Sequence, residues 1–262
     1  MFESKTKPSP IGVFDSGVGG LSILKAIRTR LPKESLLYIA DSANAPYGDR
    51  EPAFILERAF RLTEFLIAAH AKAVVIACNT ATVVAAQALR EAFDIPIIAV
   101  EPAIKPAVAI SRSAVVAVLA TTRTLESASV AKLQHHYGGG AELMFQACPG
   151  LVEQIERGEF ASAKTIELLE SYLQPVLAAG ADTLVLGCTH YPFLAPQIQA
   201  IAGANVTILD SAEAVARQVE RKIIPNIDNQ AAKNVFLTTG DPERSRALIS
   251  ELWGHGVDVQ RM

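Results

Sequence analysis

Residues 71–80 read Ala-Lys-Ala-Val-Val-Ile-Ala-Cys-Asn-Thr, and residues 181–190 read Ala-Asp-Thr-Leu-Val-Leu-Gly-Cys-Thr-His. Each is a short apolar run ending on a small residue, a cysteine and hydrogen-bonding side chains. A thiol becomes a useful general base when its pKa falls from about 8.5 towards neutrality. A helix starting just after each cysteine pushes it that way. Two thiols on opposite sides of one crevice are suited to move a proton between the two faces of a small substrate. One removes an α-proton and the other donates one, so a stereocentre inverts without metal or organic cofactor. Asp15 and His190 are candidates to hold each thiol in its working protonation state. Taken singly, Cys78 or Cys188 reads as a small core residue. Finding both in matched settings points to function. Cys148, followed by Pro149-Gly150 with no polar partner, stays a core residue. His70, His135 and His136 fall on helices and read as solvated.

Such runs are what buried parallel strands look like, and ligands of open α/β sheets bind past their carboxyl ends. The chain alternates strand and helix throughout, so its sheets are expected to be largely parallel. The first strand, near Ile11, runs into Asp15-Ser16-Gly17-Val18-Gly19-Gly20. That carboxylate and hydroxyl suit an ammonium group or a proton transfer, and equally a helix N-cap. The glycines fit neither the dinucleotide fingerprint nor a P-loop. A second strand leads to residues 41–48, where Tyr47-Gly48 could offer a phenol and an open amide to a carboxylate, or simply form a turn. Residues 101–106, with two prolines, mark a crossing between domains. Thr121 and Thr124 stand at a strand-to-helix junction, as caps or as anion ligands. The last strand is expected near residues 235–239.

The chain has 262 residues, half of them apolar, enough for one large or two modest α/β domains. A net charge of −3 gives no electrostatic footprint for nucleic acid. No apolar run of ~18 residues predicts a membrane span. The first ten residues lack the apolar core of a signal peptide, so the cytoplasm is the expected location. Three cysteines without a C-x-x-C pair argue against a disulfide framework or a zinc site.

At these residues the chain resembles the glutamate racemases of the cofactor-independent aspartate/glutamate racemase superfamily. The resemblance rests on Phe14-Asp15-Ser16-Gly17-Val18-Gly19-Gly20-Leu21, Pro46-Tyr47-Gly48, Ala77-Cys78-Asn79-Thr80-Ala81, Thr121-x-x-Thr124, Leu186-Gly187-Cys188-Thr189-His190-Tyr191-Pro192 and Leu209-Asp210-Ser211. It implies two pseudo-symmetric α/β domains with the active site in the cleft between them. Residues 1–100 with 207–262 would form one, and 101–206 the other. It further implies interconversion of L- and D-glutamate, with D-glutamate supplied to peptidoglycan. Cys78 would deprotonate D-glutamate with Asp15 assisting, and Cys188 L-glutamate with His190 assisting. Asp15-Ser16, Asp41, Tyr47-Gly48, Asn79-Thr80, Thr121, Thr124 and Thr189-His190 would grip substrate. The family's assisting glutamate falls on Glu156, but Glu153 stands where many members have proline, so which acid faces the site is open. No cofactor or metal is implied, and a homodimer is compatible. The alternatives are a racemase acting on aspartate or a hydantoin, or a non-catalytic amino-acid-binding protein, which would need neither thiol.

Overall fold

In a computed structural model, residues 9–137, 139–226 and 231–262 are described. The first eight residues, Gly138 of the glycine run 138–140 and residues 227–230, part of the stretch 226–234 that reads as an exposed linker, lie outside them. In chain order the first elements are β1 (Ile11–Asp15), α1 (Leu21–Arg30), β2 (Leu36–Ala40), α2 (Pro52–Ala68), β3 (Ala73–Ile76), α3 (Asn79–Ala92) and β4 (Ile97–Ala99). The middle comprises α4 (Ile104–Ile110), β5 (Val115–Ala120), α5 (Thr122–Leu125), α6 (Ala128–Tyr137), β6 (Glu142–Ala147), α7 (Leu151–Glu156), α8 (Ala163–Ala178) and β7 (Thr183–Leu186). A 3₁₀ turn (Tyr191–Leu194) leads to α9 (Ala195–Ala202), β8 (Thr207–Leu209), α10 (Ala212–Lys222), β9 (Asn234–Thr238), α11 (Pro242–Trp253) and β10 (Val259–Arg261).

The strands form two wholly parallel sheets, ordered β10-β9-β2-β1-β3-β4 and β6-β5-β7-β8. β3 and β7, the two cysteine-bearing runs, are buried at every residue. Helices cover both faces of such a strand, so it carries apolar residues without alternation. α2 and α3 pack together over one face of the larger sheet, and α1, α10 and α11 over the other. α2 buries Ile55, Ala59, Leu62 and Leu66, a stripe at helical spacing. The core on the α1 side runs unbroken into the second domain, through Leu151, Ile155, Leu186 and Tyr191.

Three features depart from the sequence reading. Residues 207–209 were expected in the first domain, but β8 pairs with β7, so the return crossing lies after Leu209. Its hydrogen-bond partner sets its sheet, and a three-residue strand carries no pattern that reveals the partner. The proline-containing crossing turns into helix α4, with Pro106 in the first turn, where a missing N–H costs no hydrogen bond. A final strand, β10, follows α11 and pairs with β9. Val-Gln-Arg is too short and polar to announce itself.

Candidate active site

In both sheets the strand order reverses beside the first strand of the unit. β1 is followed by β2 on one side and β3 on the other; β5 is followed by β6 on one side and β7 on the other. The crevice outside the carboxyl ends of such a pair is where open α/β sheets bind ligands. The first switch point carries Asp15 and Cys78. The second carries Thr121 and Cys188. Hydrogen bonds join the two: Thr189 Oγ1 donates to Asp15 Oδ2 at 2.8 Å, and Ser22 Oγ donates to the Thr189 carbonyl at 2.9 Å.

Cys78 is the N-cap of α3, where its Sγ accepts from the Ala81 N–H at 3.4 Å. Its thiol reaches Ser16 Oγ at 3.6 Å, and Ser16 donates in turn to Asp15 Oδ1 at 2.9 Å. Asp15 is fully buried, and its hydrogen-bonded link to the sulfur runs through Ser16. The helix start does not bring this thiol towards neutrality. Burial, reinforced by the Asp15 charge, pushes it up to about 12 against the weaker pull of the Ala81 and Ser16 hydrogen bonds. The expectation of a lowered pKa fails here because desolvation outweighs the helix terminus.

Cys188 differs again. It precedes a 3₁₀ turn rather than an α-helix, and its polar neighbour is His190, whose Nδ1 lies 3.9 Å from Sγ. Two residues of separation suffice because the backbone turns there. His190 Nε2 meets Glu156 Oε1 at 2.7 Å, and the same oxygen accepts the Val18 N–H at 2.7 Å. Burial works against an imidazolium, but the hydrogen bonds to Cys188 and Glu156 outweigh it and hold the ring's pKa well above its ordinary value. Glu156 is therefore the acid that reaches His190, while Glu153 lines two cavities at the crevice wall. Gly17 and Gly19 make this approach possible. A Cβ on Gly17 would lie 1.8 Å from Glu156 Oε1, and one on Gly19 2.2 Å from His190 Nδ1.

Between the domains, Thr80, Thr121 and Thr124 form a triangle of hydroxyls with sides of 3.0, 3.4 and 2.9 Å. Thr121 also caps α5 through the Thr124 N–H, so the cap and the site are the same residue. The Asn79 amide nitrogen is buried and has no hydrogen-bond partner among the described residues, a donor available to a ligand. Asp41 and Tyr47 take a different place from the one expected. The Tyr47 phenol donates to Asp41 Oδ2 at 2.5 Å, and Arg58 donates to both Asp41 oxygens at 2.9 and 2.7 Å. In this structure both side chains hold the loop that ends at Gly48. Arg58, Ser22 and the Val18 N–H were not legible as site groups, since each acts through a partner distant in sequence.

The thiols are 5% and 6% exposed. The cavity reaching Cys188 and Asn79 holds about 10 Å³ and that beside Gly48 and Thr121 about 20 Å³, room for one water at most. A larger cavity of about 610 Å³ opens outside Glu156, between α7 and α11. Among the described residues no three His, Cys, Asp or Glu side chains gather as a metal site. None of their helices is long and apolar enough to cross a membrane.

The scaffold is thus a parallel α/β fold in two domains, with a buried thiol at each of two switch points joined by hydrogen bonds. Known proteins sharpen this. The profile of the Asp/Glu/Hydantoin racemase family matches residues 11–219. A glutamate racemase from Pseudomonas paraeruginosa is 48% identical over 258 residues, covering 97% of each chain. One from Ralstonia pickettii is 50% identical, covering 97% of this chain and 91% of its own. Among solved structures, a glutamate racemase isoform from Bacillus anthracis superposes with a TM-score of 0.88 at 35% identity, over 97% of both chains. That of Francisella tularensis, in complex with D-glutamate, gives 0.83 at 30% identity, over 97% and 96%. The chain belongs to the Asp/Glu/Hydantoin racemase family, and it is an amino-acid racemase.

Proposed function

We propose that this enzyme interconverts L- and D-glutamate by a two-thiol proton transfer that uses no cofactor. Cys188 as thiolate takes the α-proton of L-glutamate, and the C–H electron pair is left on the substrate. Cys78 as thiol then gives its proton to the opposite face, forming the new C–H bond and leaving its own thiolate. The reverse sequence starts from D-glutamate. His190 stabilises the Cys188 thiolate as an imidazolium, and Glu156 stabilises the imidazolium. Ser16 and Asp15 orient the Cys78 thiol. Asn79 and the hydroxyls of Thr80, Thr121 and Thr124 hold the substrate, with the Gly48 backbone closing the wall. The product D-glutamate serves peptidoglycan synthesis in the cytoplasm, a reducing compartment that suits three free, buried cysteines.

The observation that carries this reading is the pair of thiols at facing switch points, each in its own hydrogen-bonded setting. The relatives named as glutamate racemases support the choice of substrate. The test is circular dichroism of D-glutamate with purified enzyme and no added cofactor. The signal is expected to decay to zero, and Cys78→Ser and Cys188→Ser each to abolish most turnover. A stable D-glutamate signal, or decay of D-aspartate alone, would overturn the assignment.

A further inference from the structure

Asp41 is the most heavily hydrogen-bonded carboxylate near the crevice. Its Oδ1 accepts from Arg58 Nη2 at 2.7 Å, Thr239 Oγ1 at 2.7 Å and Asn44 Nδ2 at 2.9 Å. Its Oδ2 accepts from Arg58 Nε at 2.9 Å and Tyr47 Oη at 2.5 Å. A carboxylate offers about four lone-pair positions. Five donors saturate it, so no acceptor site is left for a substrate ammonium. The carboxylate itself is wholly buried and Arg58 only 15% exposed, which makes the pair a fixed anchor rather than a surface contact.

What the anchor holds is the loop at residues 41–48. Asn44 and Tyr47 lie on it, Arg58 lies on α2 and Thr239 follows β9. The loop is thereby tied at once to a helix and to a neighbouring strand. Its far end reaches the second domain. A Cβ on Gly48 would sit 3.5 Å from the Thr121 Cβ, and Pro46, Gly48 and Thr121 share the wall of the inner cavity with Cys148 and Glu153. Arg58 is the one component that touches both Asp41 oxygens in the planar, two-pronged manner that fixes orientation as well as distance.

We propose that Arg58 is a positioning residue for the reaction: through Asp41 it sets the loop that walls the substrate cavity against Thr121. The inference rests on the glutamate racemase reading above. Steady-state racemisation by the intact enzyme tests it, with Arg58→Ala and Arg58→Lys measured well below their melting temperatures. A loosened wall is expected to raise KM for glutamate roughly tenfold or more, with kcat falling less, since a wall that grips substrate and transition state alike supplies uniform binding. Arg58→Lys should fall between, because a single ammonium does not bridge both oxygens. A purely structural role would lower Tm while leaving the KM of folded protein unchanged. A folded Arg58→Ala enzyme with wild-type KM overturns the proposal. Should Arg58→Ala not fold, Tyr47→Phe decides, since it removes one hydrogen bond to Asp41 and keeps the ring. A several-fold rise in its KM is expected, and wild-type KM overturns the proposal. Wild-type enzyme that leaves the glutamate signal unchanged defeats instead the reading beneath it, a result distinct from either variant outcome.

Discussion

Replacing Glu156 with glutamine isolates the charge behind the His190–Cys188 pair, the base of the proposed mechanism. The Val18 N–H and His190 Nε2 both point at Glu156 Oε1, each at 2.7 Å. A glutamine carbonyl at that position accepts both, and the Val18 N–H fixes which way the amide faces. The hydrogen bonds survive and the negative charge is lost. A hydrogen bond to a charged group contributes about 1.5–3 kcal/mol and a neutral one about 0.5–1.5 kcal/mol. The difference, about 1–1.5 kcal/mol, is roughly a 5- to 13-fold fall in kcat/KM. L- and D-glutamate are equal in energy, so kcat/KM must fall by the same factor in both directions. The imidazolium loses a partner that holds its pKa up, so the limb of the pH profile that requires it moves to lower pH. Initial rates by circular dichroism, with each enantiomer across a pH series, read both effects. Glu153→Gln is the control and should change kcat/KM less than about twofold, because that side chain lines the cavity without meeting His190. Glu156→Gln with an unchanged profile, or Glu153→Gln with the larger effect, would refute the assignment of the two acids.

Gly19→Ala places a methyl group 2.2 Å from His190 Nδ1 and 2.6 Å from Cε1 in a fully packed site. The ring must leave Cys188, and kcat should fall roughly a hundredfold while far-UV circular dichroism is retained; near-wild-type turnover would contradict the contact. Thr189→Val leaves Asp15 Oδ2 without the donor at 2.8 Å, at a cost of about 1–3 kcal/mol in urea unfolding. An unchanged midpoint would mean that another donor replaces it. The Cys78 thiol should make the fold sensitive to alkali. Its pKa is raised on folding, from 9.0 to about 12. Its stabilising share is therefore complete below pH 9 and lost as pH rises towards 12. The melting temperature should fall across pH 9–11, less steeply in Cys78→Ala, and parallel curves would rule this out.

The framework of buried strands ending on thiols was legible because its signals are local. Val74-Val75-Ile76 and Leu184-Val185-Leu186 announce buried strands, and a cysteine at the end of each places the thiols without further information. Alternation of strand and helix likewise gave the parallel sheets. What stayed hidden depends on partners far along the chain. Residues 153 and 156 are three apart on one short helix, and it is the Val18 N–H and His190 Nε2, 138 and 34 positions away, that select Glu156. Asp41 and Tyr47 read as substrate ligands, whereas the bonds that Arg58 and Thr239 make to Asp41, from a helix and a strand of their own, could not be read. The sign of the Cys78 shift was missed for a similar reason. A helix start can be read from sequence, whereas the depth of burial that overrides it cannot.

The bonds from Thr189 to Asp15, from Ser22 to Thr189 and from Val18 to Glu156 all cross from one sheet's territory to the other's. Parting the domains far enough to admit an amino acid breaks every one of them. While they hold, the two sulfurs sit where bulk water, and any electrophile or oxidant dissolved in it, does not reach. The seam that joins the domains is thus also a shield for the thiols.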